Sequence, residues 1–217
     1  MPMSLTSPQI GFISAGIALT LVLAVMVPTL TPLVPPFAGY GGTLVLYWVG
    51  FCLPVFFIFV PAHRRRALFS LTLESRDRWI PFAIGVQVLA VAIGAFVPVV
   101  GALTLVALAI AGAMALVNGV LEEAAWRGTV IEVFADRPVV GFAISWVLFT
   151  LWHVPLAMAA GTVYPSGPAA LIGGAAGLGL FWSLIAWRTR AIGWISLAHV
   201  GTNFFAFSAL NVENGWV

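Results

Sequence analysis

The sequence predicts an all-α fold: a polytopic transmembrane helical bundle of about seven spans, forming one integral membrane domain over residues 1–217. Three observations carry that prediction. Of the residues, 62% are hydrophobic and only 7% charged, against roughly 25% charged in an average soluble domain. The mean hydropathy is +1.10. Uncharged apolar runs also recur at lengths near the roughly 20 residues that cross a hydrocarbon core.

The spans fall at residues 10–27, 42–60, 79–98, 101–134, 139–160, 168–187 and 191–210. Pro28, Pro32, Pro35 and Pro36 end the first, Pro61 closes the second, and Gly161, Pro165, Gly167 and Pro168 separate the fifth from the sixth. The first run has no basic n-region before it and is read as an uncleaved first helix rather than a signal peptide. Segment four is too long for one crossing, since 34 residues would extend about 51 Å; it must tilt, break near Gly128, or project from the bilayer. Cys52, the single cysteine, lies in an apolar run and reads as a small buried hydrophobe.

Arginine placement sets the expected orientation. All nine basic residues are arginine, too few and too scattered to suggest a nucleic-acid partner. Eight fall in three connections: Arg64, Arg65, Arg66, Arg76 and Arg78; then Arg137; then Arg188 and Arg190. With seven spans these connections share one side, and the opposite connections carry no arginine. The positive-inside rule then puts the N-terminus inside and the C-terminus outside. Seven spans without a soluble domain and a lysine-free composition fit a prokaryotic cytoplasmic membrane.

The ninth arginine, Arg127, lies within segment four, in the stretch NGVLEEAAWRG. Ionisable groups inside membrane helices are rare and face a bundle interior or a watery cavity. Here they are Glu122, Glu123, Arg127, His153 and His199, accompanied by Asn118 and Asn203. Asn118 and Glu122 are four residues apart and share a helix face. Glu123 and Arg127, also i,i+4, share the next, and so do His199 and Asn203 on the seventh span. Measured from the arginine-bearing side, Glu122, His153 and His199 fall at about 18, 21 and 12 Å along their helices. Three helices thus bring polar groups to similar depth, as a single site opening toward the arginine-bearing side would require. The glycines of span six, Gly173, Gly174, Gly177 and Gly179, form a small-residue stripe that predicts close helix packing.

These residues compose three motifs: EExxxR at Glu122–Arg127, FxxxH at Phe149–His153 and HxxxN at His199–Asn203. The set resembles the CPBP family of intramembrane proteases, which includes the CAAX prenyl endopeptidases and bacteriocin-immunity-type proteins. The resemblance covers a motif-bearing core at 118–207. It implies a hydrolase that performs intramembrane proteolysis on a membrane-associated peptide or protein, with Glu122 and His153 activating a water. By the same resemblance His199 and Asn203 stabilise the oxyanion, and Glu123 and Arg127 shape and orient the site.

The chemistry of the residues is compatible with that implication. Amide hydrolysis needs a base for water, donors for the oxyanion and a proton for the leaving amine. No serine or cysteine pairs by spacing with either histidine. Two schemes stay open. In one, no cofactor is required; in the other, Glu122, His153 and His199 hold Zn²⁺ with Glu123 as base, as in a metalloprotease. The sequence lacks HExxH, and the metal-free scheme is the first expectation. A non-catalytic membrane immunity or scaffold protein of the same fold is the alternative reading, and a proton-coupled transporter another, though no repeat symmetry of the transporter kind is visible.

Overall fold

The computed structural model describes residues 4–216. Among these there is no strand, and the helices follow the predicted spans closely. They are α1 (Ser7–Leu33), α2 (Pro36–Phe59), a short α3 (Ala62–Leu68), α4 (Ser75–Ala102), α5 (Leu105–Val133), α6 (Pro138–Leu156), α7 (Pro168–Thr189) and α8 (Gly193–Glu213). Six of them are long and apolar enough to cross a membrane. The seventh span, α8, falls short in hydropathy because it carries His199, Thr202, Asn203, Ser208 and Asn211, all placed on or near its inward side. Large apolar side chains such as Ile58, Phe82 and Leu105 point outward, as expected where the surrounding solvent is lipid. The chain is an integral membrane protein.

Local chemistry sets the helix ends. Thr104 caps α5 by accepting the Ala107 N–H at 3.0 Å. Prolines start α2, α6 and α7 in the first turn, where a missing N–H costs nothing. Segment four neither breaks nor stops early. It runs continuously from Leu105 to Val133 through a π-helical turn at Ala124–Gly128, where Thr129 N–H bonds back to Ala124. The extra residue of a π turn rotates the rest of the helix around its axis, and such turns recur at functional sites. Here the turn begins directly after Glu123 and contains Arg127. Two more π turns, Trp48–Cys52 in α2 and Ala92–Phe96 in α4, lie on the helices that flank the same region.

The arginine-bearing connections meet at one end of the bundle. Arg64 pairs with Glu132 at 3.1 Å, and Arg188 pairs with buried Asp77. Arg190 donates to the Ile131 carbonyl, and Arg137 to that of Ser4, both at 3.0 Å. Gln9 closes the same end, donating to Val133 O and Asp136. At the opposite end Thr31 Oγ1 accepts the Ala160 N–H, and Asn214 brackets Val163. Within the bundle α8 lies along α5, α7 along α6 and α1 along α6, while α4 packs on the outer side of α8. An aromatic column fills the centre: Tyr47 stacks on Trp152 at 4.0 Å, and Trp126 donates to the Tyr47 hydroxyl at 2.6 Å.

The approach of α8 to α5 depends on one glycine. A Cβ at Gly119 would come within 2.7 Å of the Val200 backbone nitrogen and 3.0 Å of its Cα. Residues 118 and 122 on one helix and 199 on the other flank this contact. The glycine stripe of α7 behaves differently from its prediction. Gly173, Gly174 and Gly177 meet nothing within 4 Å, and only Gly179 is tight, against Phe149 and Arg127. The spacing suggested a helix interface, but α7 packs inward through Leu171, Ala175 and Leu178, and Gly173 and Gly177 lie on its exposed side.

The contrast is testable by thermal unfolding in detergent. Gly119→Ala should destabilise by about 1–3 kcal/mol, the usual cost of overpacking. Gly173→Ala should stay within about 0.5 kcal/mol of the parent, as open positions do. Equal effects would contradict the packing described.

Candidate active site

The three motifs converge. Glu122, Glu123 and Arg127 are fully buried, and His199, Asn118 and His153 nearly so. His199 reaches from α8 between the two adjacent glutamates: its Nδ1 lies 2.8 Å from Glu123 Oε1 and its Nε2 lies 3.2 Å from Glu122 Oε2. Arg127 Nη1 donates to the same Glu123 oxygen at 3.0 Å. The result is an unbroken chain, Glu122–His199–Glu123–Arg127. With an imidazolium donating to both carboxylates, the four side chains carry no net charge. That balance makes their burial tolerable, because unpaired ions cost several kcal/mol each in a low-dielectric interior.

Each member is held by further contacts. Arg127 extends Nη2 to the Gly179 carbonyl at 3.0 Å and Nε to Ser183 at 3.3 Å, tying α5 to α7. Its guanidinium sits 4.1 Å over the Phe149 ring. That position explains the first residue of FxxxH: Phe149 is a platform for the arginine, a use of the π face worth about 0.5–2 kcal/mol. Glu122 Oε2 also accepts from Asn118 at 3.1 Å, and Asn118 in turn accepts from Trp48 at 2.7 Å. The i,i+4 pairing of Asn118 with Glu122 is therefore real, and Trp48 on α2 extends it. Trp182 lies against the His199 ring with centroids 4.3 Å apart.

His153 sits differently. Its Nδ1 is 2.7 Å from the Phe149 carbonyl. A carbonyl only accepts, so Nδ1 carries the proton and the neutral ring presents its Nε2 lone pair on the other side. The ring is clamped between Phe149 and Trp152. His153, Glu122, His199, Asn118 and Asn203 all line one cavity of about 430 Å³. Among the described residues, Glu122 Oε1 and Asn203 Nδ2 are buried polar atoms without a hydrogen-bond partner, and both residues face this cavity.

One expectation changes in this geometry. The cavity does not lead toward the arginine-bearing end. Its walls include Tyr40, Tyr164, Pro165 and Ser166, which belong to the arginine-free end. Distances counted along helices gave depth but not which end the space between them joins. His199, expected as an oxyanion donor, has a carboxylate oxygen within 3.2 Å of each ring nitrogen, and both it and Asn203 line the cavity. Among the described residues no group of three His, Cys, Asp or Glu side chains is arranged to hold a metal ion. The Nε2 of His199, which the three-ligand set would use, lies 3.2 Å from Glu122 Oε2. Sequence reasoning also missed Tyr47, Trp48, Trp182 and Ser183; as ordinary apolar-helix residues with no special spacing, they gave no signal.

The fold and the site define an integral membrane protein with a buried carboxylate–histidine cluster on the wall of a cavity. Residues 104–205, just under half of the chain, match the family described as type II CAAX prenyl endopeptidase, Rce1-like. That segment holds all three motifs, so this part of the chain is similar to that family. No curated protein and no solved structure matches the chain.

Arg127 should be the residue on which the cluster's stability rests. Arg127→Met leaves Glu123 buried without its cation and should cost about 3–5 kcal/mol of unfolding free energy. Arg127→Lys should not restore it, because one ammonium cannot serve Glu123, Gly179 and Ser183 in the geometry of a planar fork. Denaturant unfolding in detergent measures both, and a lysine variant as stable as the parent would refute the three-way anchor.

Proposed function

We propose that the protein is a glutamate-dependent intramembrane endopeptidase that hydrolyses a peptide bond of a membrane-associated peptide or protein. The observation that carries this reading is the cavity wall, where Glu122 Oε1, the Nε2 side of His153 and Asn203 Nδ2 belong to residues facing one space. These are a carboxylate acceptor, an imidazole acceptor and an amide donor, the groups that amide hydrolysis asks for.

In this mechanism a water is held between Glu122 Oε1 and His153 Nε2. Its oxygen adds to the carbonyl carbon of the scissile bond, and its proton passes to Glu122. The carbonyl oxygen becomes an oxyanion and accepts a hydrogen bond from Asn203 Nδ2–H. Collapse of the tetrahedral intermediate breaks the C–N bond, and the leaving amine takes the proton from Glu122. The elements of water are thereby divided between the two products. His199 is a positioning residue: held by Glu123, which Arg127 anchors in turn, it fixes one oxygen of Glu122 and leaves the other for the water. The mechanism uses no metal. The family match and the motifs support the peptidase class; the roles rest on the contacts of Glu122, His153, His199 and Asn203.

Glu122→Gln should abolish cleavage, a loss of at least about 100-fold for removal of a general base, while the variant remains folded by circular dichroism. Retained activity would remove Glu122 from the role of base. Membrane proteomes from cells expressing the parent or this variant supply the comparison in which cleaved peptides are identified. Exhaustive chelation should leave the parent's activity unchanged, and a loss restored by zinc would replace this scheme with a metal-dependent one.

A further inference from the structure

The cavity has one end among the catalytic groups and the other among residues of the arginine-free face. At the inner end Arg127 lies on the far side of Glu123, anchored to Gly179 and Ser183. Beyond it Leu68, Val130, Ile131, Phe134 and Ile192 are fully packed, and a Cβ at Gly128 would already press on Ile192 at 3.3 Å. The ion pairs of the arginine-bearing connections close over this plug. No cavity wall comes from those connections.

The other end is built differently. Tyr164 of the α6–α7 connection packs edge-on to Tyr40 of α2 and donates to the Leu156 carbonyl. Ser166, at φ 61°, and Gly167, at φ 85°, turn the chain back into α7. Ala170, on the first turn of α7, and Ser166 are exposed and line the same cavity. From there the walls run inward over Leu156, Leu171, Ala206 and Phe207 to Asn203 and Glu122. Besides Glu122 and the two histidines, the described wall residues include no ionisable acid or base other than Tyr40 and Tyr164, and no arginine.

We propose that the site is reached from the arginine-free face of the membrane, the extracytoplasmic one by the positive-inside rule, and that its substrate is an uncharged, apolar peptide segment presented there. The walls have no arginine to hold a terminal carboxylate and no acid beyond the catalytic one to hold a basic side chain. Apolar side chains of the segment fill the space between Leu156, Leu171 and Phe207, and the scissile carbonyl reaches Asn203. This inference rests on the peptidase reading for what happens to the segment, but not for which face admits it.

The test uses cysteine accessibility in intact spheroplasts of a bacterial host, in a Cys52→Ala background. Ala170→Cys places a thiol at the mouth, Ala206→Cys one deeper in the wall, and Arg76→Cys one at the opposite face. The probe is a membrane-impermeant, positively charged methanethiosulfonate. The expected result is labelling of Ala170→Cys and Ala206→Cys in intact spheroplasts, and of Arg76→Cys only after permeabilisation. Labelling of Ala170→Cys and Ala206→Cys only after permeabilisation overturns the assignment of the face. Labelling of Ala170→Cys but of Ala206→Cys under neither condition overturns the continuous path. Because labelling needs no turnover, an inactive protein that labels as expected refutes the peptidase reading and leaves the access route standing.

Discussion

The structure depends on placing two carboxylates, side by side in sequence, in the middle of an apolar bundle. Glu122 and Glu123 cannot both be charged and buried in an apolar bundle without cations between or beside them. His199 supplies one from α8 and Arg127 supplies the other from one turn further along α5. Much of the surrounding architecture serves this arrangement. Gly119 lets α8 come close enough for the imidazole to reach. The π turn follows Glu123 directly and sets the direction of Arg127. Phe149, Gly179 and Ser183 receive the arginine from α6 and α7.

That constraint also separates the roles of the adjacent glutamates. Glu123 accepts from both cations, whereas Glu122, which lines the cavity, has one oxygen held by His199 and Asn118 and the other without a hydrogen-bond partner. An arrangement of this kind fixes the Glu122 carboxylate through one oxygen and leaves the other without a hydrogen-bond partner. His153, held through its Nδ1 by a backbone carbonyl, is oriented by the same logic from a different helix.

Much of this was legible in the sequence, for identifiable reasons. In a chain that is 7% charged, each intramembrane ionisable residue stands out, and i,i+4 spacing sorts Asn118–Glu122 from Glu123–Arg127 without any coordinates. The spans were legible because hydropathy and arginine placement act on long windows, and α8 was recoverable although its polar face lowers its hydropathy. Other features were not legible. Which nitrogen of His199 meets which glutamate depends on a backbone approach at Gly119 that no periodicity reports. The direction of the cavity depends on how helix ends splay and where Tyr164 and Ser166 fold back. The α7 stripe misled because small residues permit close packing without requiring it, and nothing approaches Gly173, Gly174 or Gly177.

The central claim is that Glu122, His199, Glu123 and Arg127 act as one charge-balanced unit rather than as separate polar residues. A double-mutant cycle on unfolding free energy, with Glu123→Gln, Arg127→Met and the two combined, tests it most directly. The account predicts strong non-additivity, with the double variant less destabilised than the sum of the singles by about 1–3 kcal/mol, the range for residues in one buried network. Additive single effects would show that the two residues do not depend on each other and would contradict the account.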